Sequence, residues 1–99
     1  MAETITPKEL QEKLKKVLVI DVRESDEISY GTVPTAQHIP FGKLIRDERK
    51  GIVPKDKEIV CYCAGGFRGN MAADFLNSRG YKAKNLAGGF IAWTEAEMS

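Results

Sequence analysis

The chain alternates short, unbroken apolar runs with stretches in which apolar residues recur every three or four positions. Val17-Leu18-Val19-Ile20-Asp21-Val22 and Glu58-Ile59-Val60-Cys61-Tyr62-Cys63 are the two strong runs. Continuous runs rich in β-branched residues read as strands buried on both faces, hence parallel and central. Thr6-Pro7-Lys8-Glu9 reads as a helix start, with a Thr cap, Pro at the first helical position and Glu three residues after the cap. Leu10 and Leu14 follow at a spacing of four. Ser25-Asp26-Glu27 is expected to cap a short helix ending near Gly31. From Gly31 to Pro40, two prolines leave room only for a short strand around Gln37-His38-Ile39. Phe41, Leu44 and Ile45 fall at helical spacing, and Gly51 and Pro54 end that element. Ala64-Gly65-Gly66 breaks the second strong strand. A helix is expected to start near Gly69, marked by Met71, Ala72, Phe75 and Leu76 and stopped by Gly80. A short strand over 83–86, a Gly88-Gly89 turn and a helix from about Phe90 to Glu97 complete the pattern.

Strand and helix in alternation, with two buried strands, imply an α/β protein: a parallel sheet with helices on both faces. Ligands of such sheets bind outside the carboxyl ends of the strands. Cys63 stands at that end of a central strand, just before a helix.

Composition narrows the function classes. With 99 residues, 42% hydrophobic and 29% charged, the chain is expected to form one ordered domain over 1–99. A net charge of +1 lacks the basic excess of a general nucleic-acid binder, so no nucleic-acid partner is expected. No apolar run approaches the ~18–20 residues of a membrane span, so no membrane partner is expected either. Met1 to Thr6 lacks the basic-then-apolar order of a signal peptide, which points to the cytoplasm. Cys61 and Cys63, one residue apart, cannot build a disulfide framework. His38 is the only histidine, so a zinc site would need carboxylates to complete it. The expectation is no metal and no cofactor, leaving either a reactive thiol or two inert buried ones.

The neighbours of Cys63 favour reactivity. In Cys63-Ala64-Gly65-Gly66-Phe67-Arg68-Gly69, the glycines allow successive N–H groups to point inward as a nest. The helix start adds unpaired N–H groups and the positive end of its dipole. Arg68 is expected to add a permanent cation. All three stabilise an anion, either a thiolate or a bound substrate. The plainer reading is a buried Cys before an ordinary turn with Arg68 solvated; the convergence of strand end, glycines, Arg and helix argues against it. Cys61 leaves the strand on the same side as Cys63, which would permit a resolving or relay role, but a buried strand thiol is the favoured reading. His38 is a candidate acid–base group, disfavoured because a thiolate in such a cradle needs no histidine base. Trp93 and Phe90, on one helix face, read as core. Lys82 and Lys84 alternate along a short strand, which suits an exposed edge.

Four segments together resemble the rhodanese family over nearly the whole chain. They are Ile20-Asp21-Val22-Arg23-Glu24 with Asp26-Glu27, Gly31 through Pro40, Cys63 through Arg68, and Leu86-Ala87-Gly88-Gly89-Phe90-Ile91-Ala92-Trp93. The resemblance implies a central five-stranded parallel sheet flanked by helices. It implies transfer of sulfane sulfur: Cys63 takes sulfur from thiosulfate, a polysulfide or a persulfide, and hands it to cyanide or a thiol, with a protein thiol as a further candidate partner. It implies that Ala64, Gly65, Gly66, Phe67, Arg68 and Gly69 contact the substrate, and that Asp21 and Arg23 support the fold through hydrogen bonds and an ion pair. Phosphatases and arsenate reductases of this fold carry one more residue between Cys and Arg, and the shorter loop here favours sulfur. A binding or sensing module without catalysis is the alternative from another class. Thr32, Thr35, His38 and Gly69 depart from the family pattern, and Gly69 removes a hydroxyl that often follows the Arg. With Arg68 as its only charge, the loop is not obviously built for dianionic thiosulfate.

Overall fold

The computed structural model describes residues 1–99. In chain order the elements are β1 (Thr4–Ile5), α1 (Pro7–Lys13), β2 (Leu18–Asp21), a single 3-10 turn (Ile28–Tyr30), β3 (Gln37–His38), α2 (Phe41–Arg49), β4 (Ile59–Tyr62), α3 (Phe67–Ser78), β5 (Ala83–Leu86) and α4 (Gly89–Glu97). The five strands form one parallel sheet in the order β1-β5-β4-β2-β3. The two apolar runs become the neighbouring strands β2 and β4, in register from Leu18 beside Ile59 to Asp21 beside Tyr62. Every residue of β4 is buried, as a strand covered on both faces must be.

The sheet divides the core in two. On one face, Ile20, Cys61 and Cys63 pack with Leu44 of α2 and with Ala72, Ala73 and Leu76 of α3. On the other, Val19, Val60 and Tyr62 pack with Leu10 of α1 and Trp93 of α4. The helix start at Thr6 forms as the sequence implies: the Glu9 N–H donates to Thr6 Oγ1 and the Thr6 N–H donates to Glu9 Oε1.

Three elements differ from the expectation. β1, two residues long, is too short to leave a period in the sequence, and it pairs with β5. β5 is therefore an interior strand, not an edge, and Lys84 is bonded to Glu58 at 3.1 Å rather than simply solvated. Helix α3 begins at Phe67, two residues before Gly69, because Gly66 caps it at φ 119°, a conformation that side chains resist. Finally, Ser25-Asp26-Glu27 caps no α-helix: the turn at Ile28–Tyr30 has no side-chain cap, and the Glu27 carboxylate is used elsewhere.

At the carboxyl ends of β2 and β4 lies a buried polar knot. Arg23 donates to both carboxylate oxygens of Asp21 at 2.7–3.1 Å and to the carbonyls of Glu27 and Gly31. Tyr62 donates its hydroxyl proton to Asp21 Oδ2 at 2.8 Å and accepts the Val33 N–H at 3.0 Å. Burial, reinforced by the Asp21 carboxylate, raises the Tyr62 phenol above its ordinary pKa. Burial acts against the Arg23 charge, and the Asp21 bonds outweigh it. Losing one partner of a buried ion pair strands the other. Asp21→Ala should therefore destabilise the protein by ~3–5 kcal/mol. Tyr62→Phe should cost ~1–3 kcal/mol, the price of one unsatisfied N–H and a weakened carboxylate. Urea unfolding of the two variants checks the order.

Candidate active site

Chain direction places Cys63 where β4 leaves the sheet. Its Sγ is 3.1 Å from the Gly66 N and 3.2 Å from the Gly69 N, and both N–H groups donate to it. These donors belong to the cap and first turn of α3, so the sulfur sits on the positive end of that helix. Two contacts hold the loop in place. Asn85 Nδ2 donates to the Gly66 carbonyl at 3.0 Å. The Phe90 and Ile91 N–H groups, at the start of α4, donate to the carbonyls of Cys63 and Ala64 at 2.8 and 3.1 Å. The segment around Gly88-Gly89 is thus bonded to the back of the cysteine loop.

Gly69 has a packing reason. A Cβ there would overlap Asn85 Oδ1 and come within 3.1 Å of Tyr62 Cα. With Asn85 placed as it is here, a side chain at position 69 would have to displace the Asn85 amide. Asn85 Oδ1 is buried and accepts no hydrogen bond, which matches its place against the Gly69 Cα.

Arg68 is not a free cation beside the sulfur. Its two Nη atoms donate to the two carboxylate oxygens of Glu27, each at 2.7 Å. This fork-to-fork pairing holds the Glu27 carboxyl at about 2, against an ordinary 4.5, with the Glu24 N–H as a second donor. The same pair, with a smaller contribution from Cys63, raises the Arg68 guanidinium further. Phe67 projects into solvent, Gly65 is exposed and Ala64 is half-buried. Cys61 is fully buried, and burial pushes its thiol up to about 12. His38 Nε2 lies 2.7 Å from the Arg23 carbonyl, away from the cysteine loop. Trp93 is core.

A groove of about 430 Å³ runs beside the loop, lined by Ala64, Phe90, Ile91 and Tyr30, with Asp26, Glu27 and Arg23. The largest cavity, about 510 Å³, opens at the amino ends of β4 and β5 and touches none of these residues.

Sequence patterns did not single out Glu27, Tyr62 or Asn85. Each meets its partner across a long stretch of chain, Glu27 and Arg68 being 41 residues apart. The available signal for Glu27 was its place in the Asp21-to-Glu27 motif.

A family model for the rhodanese-like domain matches residues 6–96. The chain belongs to that family. It is 35% identical over 97 residues to a sulfurtransferase of Allochromatium vinosum, covering 94% of this chain and 89% of that protein. It is 31% identical over 113 residues to the human thiosulfate:glutathione sulfurtransferase, covering 97% and 96% of the two chains. The crystal structure of a rhodanese-related protein from Thermoplasma volcanium superposes with a TM-score of 0.86 at 32% identity, covering 95% of this chain and 92% of that one. No helix is long and apolar enough to cross a membrane.

The Glu27–Arg68 pair makes a testable statement about pH. A depressed carboxylate pKa means that the pair contributes fully above pH 4.5 and is lost only as pH falls through about 2. Carboxyl-detected NMR should show Glu27 titrating near 2, and Arg68→Ala should move it back toward 4.5. A Glu27 that titrates near 4.5 in the unmodified protein would show that the fork is not formed in solution.

Proposed function

We propose that this protein is a sulfurtransferase, a single unit over residues 1–99 that moves sulfane sulfur through a persulfide on Cys63. The observation that carries the reading is the pair of N–H donors, from Gly66 and Gly69, on the Cys63 sulfur. They offer a fixed environment for negative charge on Sγ, with no reorganisation during reaction. The relatives named above as sulfurtransferases support the same chemistry.

In the first step the Cys63 thiolate attacks the outer sulfur of the donor. A bond forms between Sγ and that sulfur, the donor's S–S bond breaks, and the electron pair leaves with sulfite or a thiolate. In the second step cyanide or an acceptor thiolate attacks the outer sulfur, and the electron pair returns to Sγ. The loop from Ala64 to Gly69 receives the transferred atom, with the Gly66 and Gly69 N–H groups nearest the sulfur. No external oxidant or base is needed. Cys61 takes no part, since burial keeps it a thiol. Phosphoryl transfer is disfavoured by the six residues from Cys63 to Arg68, one fewer than the phosphatases of this fold use. A purely binding role leaves the two donors on Cys63 unexplained.

Intact mass spectrometry tests the reading. After exposure to a sulfane donor the protein should gain one sulfur atom, removable by cyanide with release of thiocyanate. Cys63→Ser should lose both the adduct and turnover, whereas Cys61→Ser should keep them. Turnover that survives Cys63→Ser would refute the assignment.

A further inference from the structure

The groove beside the loop differs from an anion site in a way that bears on the donor. Its apolar lining is Tyr30, Ala64, Phe90 and Ile91. Tyr30 and Ile91 are 87% and 57% exposed, so both present apolar surface that nothing in the chain covers. Two of these residues are tied to the cysteine loop, since the Phe90 and Ile91 N–H groups donate to the carbonyls of Cys63 and Ala64. Ala64, the residue after Cys63, is the member of the cysteine loop that lines the groove, so a body lying on Phe90 and Ile91 abuts that loop. At about 430 Å³ the groove falls toward the small end of ligand sites, which run from ~300 to 1,000 Å³.

The charges at this groove point the same way. Arg23 lines it, but its donors are taken by Asp21 and the carbonyls of Glu27 and Gly31. Arg68 is taken by both oxygens of Glu27. Asp26 adds a carboxylate with no cationic partner. The lining thus offers no free cation and one uncompensated anion. A dianion meets repulsion here as it approaches the thiolate, whereas a donor with one charge and an apolar body meets less of it and gains buried area.

We propose that this groove is a subsite for the organic body of the sulfur donor, and that Glu27, by engaging Arg68, sets a preference for organic sulfane donors of low charge over dianionic thiosulfate. The inference rests on the sulfur-transfer reading above and specifies its substrate class. A thiosulfonate shows the step. The Cys63 thiolate attacks the terminal sulfur of R–SO2–S⁻, a bond forms between Sγ and that sulfur, and the S–S bond breaks. The electron pair leaves on the sulfinate R–SO2⁻, and Cys63 holds the persulfide anion.

Three probes separate charge from body: thiosulfate, methanethiosulfonate and benzenethiosulfonate. The rate of sulfur gain on Cys63 is followed by mass, with each donor's rate divided by its rate with free N-acetylcysteine to remove intrinsic reactivity. The expected order is benzenethiosulfonate, then methanethiosulfonate, then thiosulfate, with about tenfold between neighbours, the equivalent of burying one or two methylene groups or removing one unfavourable charge contact. The double variant Tyr30→Ala/Ile91→Ala should cut the benzene-over-methane ratio about tenfold. Glu27→Gln should release Arg68 and raise the thiosulfate-over-benzenethiosulfonate ratio by tenfold or more. Equal normalised rates for the three donors, or a benzene-over-methane ratio untouched by the double variant, would overturn the subsite while leaving sulfur transfer intact. Failure of all three donors to place sulfur on Cys63 would overturn the sulfur-transfer reading, and the subsite with it.

Discussion

Arg23 is the only cation this fold buries, and much of the molecule is arranged around keeping it satisfied. Its guanidinium donates to the Asp21 carboxylate and to the Glu27 and Gly31 carbonyls. It also lies 4.5 Å from the centre of the Phe90 ring and 5.5 Å from that of Tyr62. One side chain thus joins β2, the loop after it, β4 and the start of α4. An unpaired buried charge is costly enough that these groups have little freedom to separate. The loop that carries Asp26, Glu27 and Tyr30 is pinned at two carbonyls, and so it presents Glu27 to Arg68 across the cysteine loop.

That chain of contacts explains the division of labour around Cys63. Backbone N–H groups of Gly66 and Gly69 face the sulfur, and they are held by secondary structure rather than by side-chain rotamers. Asn85 fixes the Gly66 carbonyl from β5, and the start of α4 fixes the carbonyls of Cys63 and Ala64. Arg68 forms a fork with Glu27 while remaining close enough to Cys63 to feel its charge. In the proposed reaction the charge on sulfur is borne first by the two backbone donors, and the charge of the nearby Arg68 is largely compensated by Glu27. The same arrangement makes the apolar groove beside the loop matter, because binding energy for a donor must then come from its body rather than from its charge.

Most of this architecture is visible in the sequence wherever a physical signal is local. The strands β2 and β4 are legible because burial on both faces demands unbroken apolar runs, and Cys63 is legible because it ends one of them before glycines and a helix. β1 is not, since two residues cannot show a period. The start of α3 was expected at Gly69 and lies at Phe67, because a glycine cap leaves no side-chain signature. Lys82 and Lys84 suggest an edge strand, but the strand that covers β5 is the one too short to be seen. The fate of Arg68 was hidden for a different reason. Composition shows a cation beside a cysteine, whereas its partner lies 41 residues away in a loop whose path is set by a third group, Arg23. Charges that meet across loops are decided by tertiary structure, and no spacing in the chain records them.

If sulfur on Cys63 is held by the backbone of Gly66 and Gly69 while Arg68 stays with Glu27, loading one sulfur must disturb the amides and spare the guanidinium. Amide and guanidinium NMR spectra of the 15N-labelled protein, taken before and after one sulfur is loaded, test it most directly. The Gly66 and Gly69 amide resonances should shift most, and the Arg68 side-chain resonances should keep the signature of the Glu27 fork. Large Arg68 shifts with unmoved Gly66 and Gly69 amides would contradict it.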